Sequence, residues 1–394
     1  MMNDTSLLKK KRILFLRVKG QFAVNLRNEH ILDYLRARYI VEEYQIAQEE
    51  LLNIAPPSLF RMFNFAVLIS IMRKSFIDSK SSVYAEYKVN QFTKHVNKVI
   101  RNKSRIVSSI VTDFDCMHAT DIFSGYIAYK VNRITGIPYV IDLHDIYHEV
   151  FRAYNAHPRK IKLYDRMERE IVNSAQHVIC VSDLSRMRLH HLYNVPLREI
   201  SVIPNGTEEL GLCASFDKQF KVVFSGNFNN IEKVIDFIKA KELLTDNTVE
   251  FYLMGDGDER ESYLNYINRN HLDISYLGLK KWHHAMVVLS KMQAGVAPAM
   301  DHTGRKACSP MKVMDYAICG LPVVVSDYYS ISDTIRKYNA GIVIEGSSPQ
   351  GIKKAIIQLL DKDTWNEKSK NSKKLALREF LWSKVLEPIN SIYV

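Results

Sequence analysis

The chain has 394 residues, 47% of them apolar and 25% charged, with a formal net charge of +11. That length implies two domains of roughly 150 to 200 residues, each able to bury a core, and the composition excludes disordered and fibrous classes. The five cysteines, Cys116, Cys180, Cys213, Cys308 and Cys319, form no CxxC pair and no zinc-ligand spacing, and their odd number fits no disulfide framework, which points to a reducing cytoplasm.

The basic excess sits at the start. Residues 1–110 hold 19 Lys or Arg against 9 Asp or Glu, residues 111–204 hold 11 against 11, and residues 205–394 hold 24 against 23. Such asymmetry predicts an anionic partner for the first quarter, a membrane surface or a phosphorylated substrate. Nucleic acid fits less well, because the Tyr and Phe residues there are not arranged as a stacking platform. The opening MMNDTSLLKKKR leads into an apolar run at residues 13–16, too short for a signal sequence or a membrane span. The stretch 62–72 (MFNFAVLISIM), bracketed by Arg61, Arg73 and Lys74, suits an interfacial helix and a buried helix equally.

Strand-like runs then alternate with helical patterns, the mark of parallel α/β architecture. A first series comprises residues 12–18 (RILFLRV), 116–118, 139–143 (YVIDL), 177–181 (HVICV) and 200–203. A second comprises 221–225 (KVVFS), 249–254 (VEFYLM), 274–277, 294–297 (AGVA), 322–326 (PVVVS) and 341–344. Between them Pro204, Asn205 and Gly206 form a turn cluster, and the polar stretch to about residue 217 reads as a linker.

Ligands of open parallel sheets bind beyond the carboxyl ends of the strands, where helix-start amides face anionic groups. Those positions hold Lys19 and Gly20, His118, and the cluster Asp142, His144 and Asp145; in the second series they hold Gly226 and Asn227, residues 255–257 (GDG) and Gly278. The richest stretch is 300–327 (MDHTGRKACSPMKVMDYAICGLPVVVSD). Ser309 and Pro310 make a helix start, and with Arg305, Lys306 and Lys312 they predict a diphosphate site. Asp315, one turn beyond Lys312, either accepts ribose hydroxyls or faces solvent. Asp142, Asp145, His148 and Glu149 cluster in sequence with His144, but strand and helix periodicities point them in different directions, against a metal site.

These segments resemble the GT-B retaining glycosyltransferases of the GT4 type. SPMKVMDYAICGLPVVVSD is similar to their SPxKxxEYMAxGxPVVAS segment and VIDLHDIYHE to their DxHDxxxE segment; HVICVSDLSRMRL with VIPNG resembles their last N-domain strand and helix, and VVFSGNF their first C-domain strand and glycine turn. The resemblance covers about residues 115–345. It implies two Rossmann-like doubly wound parallel-sheet domains facing a central cleft: residues 1–204 binding acceptor, 205–217 linking, 218–372 binding a nucleotide sugar, and a helix over 373–394 crossing back to the first domain. Closure would hinge near residues 205–211 and near Asn371.

The resemblance also implies roles for residues. Gly20, Gly226 and Lys233 would approach the diphosphate of a UDP- or GDP-sugar donor, with Asn227 where the family often has arginine. Ser309, Pro310, Met311 and Lys312 would cradle that diphosphate, Asp315 would contact ribose, and Gly278 and Leu279 would present backbone to the base. His144 would lie near the donor sugar and acceptor, and Lys233, Arg305 and Lys312 would stabilise the leaving group. The implied activity is hexosyl or N-acetylhexosaminyl transfer with retention, without metal or other cofactor, to a glycan or lipid-diphosphate-linked acceptor in surface polysaccharide or glycoconjugate synthesis. The enzyme would be cytoplasmic, or peripheral at the inner face of the membrane through residues 1–110. The family's paired acids, eight residues apart, fall here on Ala307 and Asp315, so the first is missing; a non-catalytic GT-B subunit that binds partners is the alternative.

Overall fold

The computed structural model describes residues 10–19, 22–52, 82–244 and 248–393; Gly20 and the stretch 62–72 lie outside them. The chain divides into two compact units, one of residues 1–180, 186–202 and 391–394, the other of residues 181–185 and 203–390.

The first unit is built on β1 (Arg12–Lys19), β2 (Ile40–Ala47), β3 (Cys116–Thr120), β4 (Tyr139–Leu143), β5 (His177–Cys180) and β6 (Ile200–Val202). They form one sheet in the order β2-β1-β3-β4-β5-β6, every pair parallel. β3 and β4 are buried along their whole length and β1 at all but its ends. Helices cover both faces of such a sheet, so its strands read as continuous apolar runs. The edge strand β2 is a finding: IVEEYQIA carries Glu42 and Glu43, which meet Arg12 (Nη2–Oε1 3.3 Å) and Arg17 on the neighbouring β1. In register, Thr120 of β3 lies beside Asp142 of β4, so the residues just beyond, Asp121 and Leu143–His144, emerge together at the carboxyl edge.

The second unit holds β7 (Phe220–Asn227), β8 (Val249–Asp256), β9 (Ile274–Gly278), β10 (Ala294–Ala297), β11 (Val323–Ser326) and β12 (Gly341–Ile344), all parallel in the order β12-β11-β10-β7-β8-β9. The helix Met311–Ile318 lies on β10 through Tyr316, whose ring occupies the space above Gly295 where any Cβ would collide. The Tyr316 hydroxyl accepts the Ser225 N–H (2.7 Å), which ties the helix to the end of β7.

Two boundaries differ from expectation. Residues 205–217 are no free connector: the Thr207 N–H donates to the Phe380 carbonyl (2.7 Å), the Trp382 N–H to the Thr207 carbonyl (3.2 Å) and the Ala214 N–H to the Cys319 carbonyl (2.7 Å), all within the second unit. Nor is 373–394 one helix. The helix Lys362–Leu375, which contains Asn371 without a break, runs through a π-turn at Ala376–Phe380 to the short helix Trp382–Val385 and a 3-10 turn at Glu387–Ser391. The break is fixed by extended Leu381, which bridges Thr207, and by Trp382, packed where a side chain on Gly206 would stand 2.7 Å from its ring. Only residues 391–394 group with the first unit. There the Tyr393 hydroxyl pairs with Nδ1 of buried His118, itself stacked on Phe15 (4.8 Å between ring centres), and the Tyr393 carbonyl accepts Lys11 Nζ (3.2 Å).

Candidate active site

In the second unit the expected phosphate-binding residues gather around a carboxylate that sequence reasoning missed. Buried Glu232 accepts hydrogen bonds from Lys312 Nζ, from Arg305 Nη1 (2.9 Å) and from the Tyr329 hydroxyl (3.2 Å). Burial alone would raise its pKa, but the charges of Arg305 and Lys312 outweigh it and hold Glu232 below the ordinary value. Burial lowers the Lys312 pKa in turn, with Arg305 adding to the effect and Glu232 opposing it. The Lys312 ammonium stands 4.6 Å over the Phe224 ring, and a Cβ on Gly226 would approach its Nζ to 3.0 Å. Gly226, at φ 146 near the end of β7, therefore serves both the backbone there and the room for Lys312.

The helix start Met311–Lys312 has Pro310 as its N-cap and no side chain bonded to its first amides, leaving those donors for an anion. Ser309 does not cap it. Its Oγ accepts the Asn205 N–H (3.0 Å) and its carbonyl accepts Asn205 Nδ2 (2.7 Å), so it anchors the loop before the helix. Lys233, the N-cap of the helix Val234–Leu243, sits at a left-handed φ of 51, and its ammonium makes no hydrogen bond or ion pair among the described residues. Asn227 Oδ1 is buried without a partner among those residues.

Asp315 is held from the side of β9. Its Oδ1 accepts both Thr207 Oγ1 (2.9 Å) and Trp282 Nε1 (3.2 Å), and burial pushes its carboxyl up to about 6 against these two bonds. Both donors load one oxygen, while Oδ2 makes no hydrogen bond among the described residues, which suits it to a ligand hydroxyl. Gly278 (φ 70) and Leu279, 54% exposed, lie at the end of β9 just ahead of Trp282. Neither Trp282 nor Thr207 carried a sequence signal; each lies in its own segment and meets Asp315 only in three dimensions.

In the first unit His144 is oriented by a buried ion pair. Arg27 grips Asp142 with two bonds (Nε–Oδ2 2.8 Å, Nη2–Oδ1 2.9 Å), both side chains being essentially inaccessible, and His144 Nε2 lies 3.2 Å from Asp142 Oδ2. Burial works against the Asp142 charge, yet Arg27 and His144 hold its pKa well below the usual carboxylate range. An ionised Asp142 can only accept, so Nε2 of His144 carries a proton toward it and Nδ1 is the atom left for other chemistry. His148 and Glu149 are held elsewhere: His148 Nδ1 binds Glu168 (2.6 Å) and Glu149 binds Arg188. Arg27 was the missed residue here, 115 positions from its partner.

Comparison with known proteins gives the family. Residues 80–209 match the family described as Glycosyltransferase Family 4, and residues 219–362 that described as Glycosyl transferases group 1. The chain is similar to O-antigen chain mannosyltransferase B of Escherichia coli, 22% identical over 65% of this chain and 69% of that one. It is also similar to the UDP-Gal:alpha-D-GlcNAc-diphosphoundecaprenol alpha-1,3-galactosyltransferase of Escherichia coli, 21% identical over 71% and 75%. Among solved structures, a sucrose-phosphate synthase from Thermosynechococcus elongatus superposes with a TM-score of 0.74 at 13% identity, covering 98% of both chains. HepE from Anabaena, solved with UDP and glucose, gives 0.66 at 15% identity, covering 96% of this chain and 98% of that one. Two six-stranded parallel sheets and two family matches in the expected order lead to one assignment: the chain belongs to the GT-B glycosyltransferases of the GT4 type.

Proposed function

We propose that the enzyme transfers a hexosyl or N-acetylhexosaminyl group, with retention of configuration, from a nucleoside-diphosphate sugar held by the second unit to a glycan or lipid-diphosphate-linked acceptor. The observation that carries this reading is the convergence of Lys312 and Arg305 beside Gly226 and an uncapped helix start. As the anomeric C–O bond breaks, its electron pair leaves with the diphosphate, and fixed cations and amides stabilise that charge. The acceptor oxygen forms the new bond on the same face, and its proton passes to the departing phosphate. Asp315 takes ribose hydroxyls through Oδ2, and Gly278 and Leu279 present backbone to the base. HepE, solved with UDP, and the galactosyltransferase named for a UDP-sugar donor and a diphosphoundecaprenol acceptor support these classes.

The test is thermal unfolding with UDP, GDP, ADP and dTDP and their sugars. A ligand bound only by the native state raises the melting temperature, by about 2.7 kcal/mol of stabilisation at a hundredfold excess over Kd. One base is expected to give such a shift and Lys312→Ala to abolish it; a folded protein that responds to none would sink the donor assignment, and binding without turnover would favour the non-catalytic subunit.

The acceptor side carries a second observation. On the helix Ser82–Ile110, Lys94, Lys98, Arg101 and Arg105 follow one another at spacings of four, three and four, all exposed and without ion-pair partners among the described residues. That spacing puts four cations on one face. Among the described residues no helix is long and apolar enough to cross a membrane. We place this face against anionic lipid at the cytoplasmic side, where each basic residue contributes about 1 kcal/mol. Reversing all four to Glu is expected to weaken sedimentation with phosphatidylserine vesicles at least about tenfold, and unchanged sedimentation would remove the membrane from the proposal.

A further inference from the structure

The helix Asp121–Thr135 begins on a strained residue. Asp121 has φ 70, a left-handed conformation rare for a residue with a side chain, and strain of this kind concentrates at functional sites. Its carboxylate caps the helix through one oxygen only: Oδ1 accepts the N–H groups of Phe123 (2.7 Å) and Ser124 (3.1 Å). Oδ2 is buried and makes no hydrogen bond among the described residues, the Val18 N–H of β1 lying near the carboxylate without completing one.

A neighbour repeats the pattern. Asn28 donates through Nδ2 to Oγ1 of Thr120 (3.2 Å), the residue before Asp121, while its Oδ1 is buried without a partner among the described residues. Two unpaired buried acceptors at the end of one strand destabilise the free protein and suit a ligand rich in hydroxyl donors. His144, at the end of the adjacent β4, lies close enough to interact electrostatically with Asp121. Burial pushes the Asp121 carboxyl up to about 6, so the Ser124, Phe123 and Val18 amides and His144 compensate its charge only in part. A cap alone explains neither feature, since asparagine caps equally well and tolerates the left-handed backbone better.

We propose that Asp121 is an acceptor-binding residue of the transferase, its Oδ2 and the Oδ1 of Asn28 taking hydrogen bonds from hydroxyls of the acceptor sugar. This rests on the transferase reading above. The experiment compares the wild type with Asp121→Asn, which keeps the Oδ1 cap and turns Oδ2 into a donor. Three readouts apply: the melting temperature, hydrolysis of the donor found by the nucleotide screen in the absence of acceptor, and transfer to a panel of p-nitrophenyl glycosides and short-chain prenyl-diphosphate sugars. The expected result is a melting temperature at or above that of the wild type, unchanged donor hydrolysis, and a fall of at least thirtyfold in kcat/KM for the acceptor. Asn28→Asp, which keeps an acceptor at that position, is expected to retain more transfer than Asn28→Leu. A lowered melting temperature with normal transfer would reduce Asp121 to a cap and overturn the proposal, as would an effect confined to the KM of the donor. A wild type that neither hydrolyses nor transfers any sugar would instead defeat the transferase reading itself, and with it this inference.

Discussion

Replacing Glu232 by glutamine is expected to destabilise the second unit by about 3 kcal/mol, the effect of removing one partner from a buried ion pair. Lys312 and Arg305 both rest on this carboxylate, and without it two cations share a site from which water is largely excluded. The variant should recover on binding ligand. A nucleoside diphosphate supplies the missing negative charge, so its stabilising effect is expected to be larger in Glu232→Gln than in the wild type, whereas in Lys312→Ala it should be small. Transfer by Lys312→Ala is expected to fall by about 10²- to 10³-fold, the loss typical of one preorganised group at a developing anion. The pH dependence has a definite sign. Glu232 is held below its ordinary pKa, so its contribution is complete above the unfolded value of about 4.3 and disappears as pH falls through the folded one. Denaturation from pH 3 to 7 should show that acid loss in the wild type and much less of it in Glu232→Gln. Equal stability of the two proteins at pH 7 would mean that the carboxylate does not organise the cations.

Much of the scaffold could be read from the chain because parallel strands buried on both faces leave apolar runs such as RILFLRV and YVIDL. β2 could not, because an edge strand needs no such run and its Glu42 and Glu43 look like a solvated turn until Arg12 and Arg17 of β1 are beside them. The side proposed to bind phosphate could be picked out wherever local chemistry marks it, in the glycine near the end of β7 and the helix start at residues 310–312. Glu232 was not, since in NNIEKV it resembles any acid ahead of a helix; its burial arises from Arg305 and Lys312, more than seventy residues further on. Arg27 did leave a trace. Among the described side chains of the helix Phe22–Arg36 the buried positions are Arg27, Asn28, Ile31, Leu32 and Leu35, a core stripe at helical spacing, and a charge on that stripe demands a buried partner. Which acid answers it is a matter of topology.

That partner makes Arg27→Met the most informative change in the first unit. Methionine preserves much of the volume but leaves Asp142 buried with only His144, and a loss of about 3–5 kcal/mol is expected near neutral pH. The slope of stability against pH should also reverse. In the wild type Asp142 titrates below its unfolded value, so its stabilisation is present above about pH 4 and is lost as pH falls. In Arg27→Met burial dominates and lifts the folded pKa above the unfolded one, so the folded state takes up a proton and is stabilised as pH falls. Each proton so linked contributes about 1.4 kcal/mol per pH unit. Urea titrations at pH 5 and 7.5 should therefore find the variant closer to the wild type at the lower pH, and Arg27→Met with Asp142→Asn should regain much of the loss at pH 7.5 by removing the buried charge. Donor-induced stabilisation should survive in both variants, because the proposed diphosphate site, with Arg305 and Lys312, lies in the other unit. A variant equally unstable at both pH values would show that Arg27 acts through packing, and the orientation of His144 by a charged Asp142 would then lack its support.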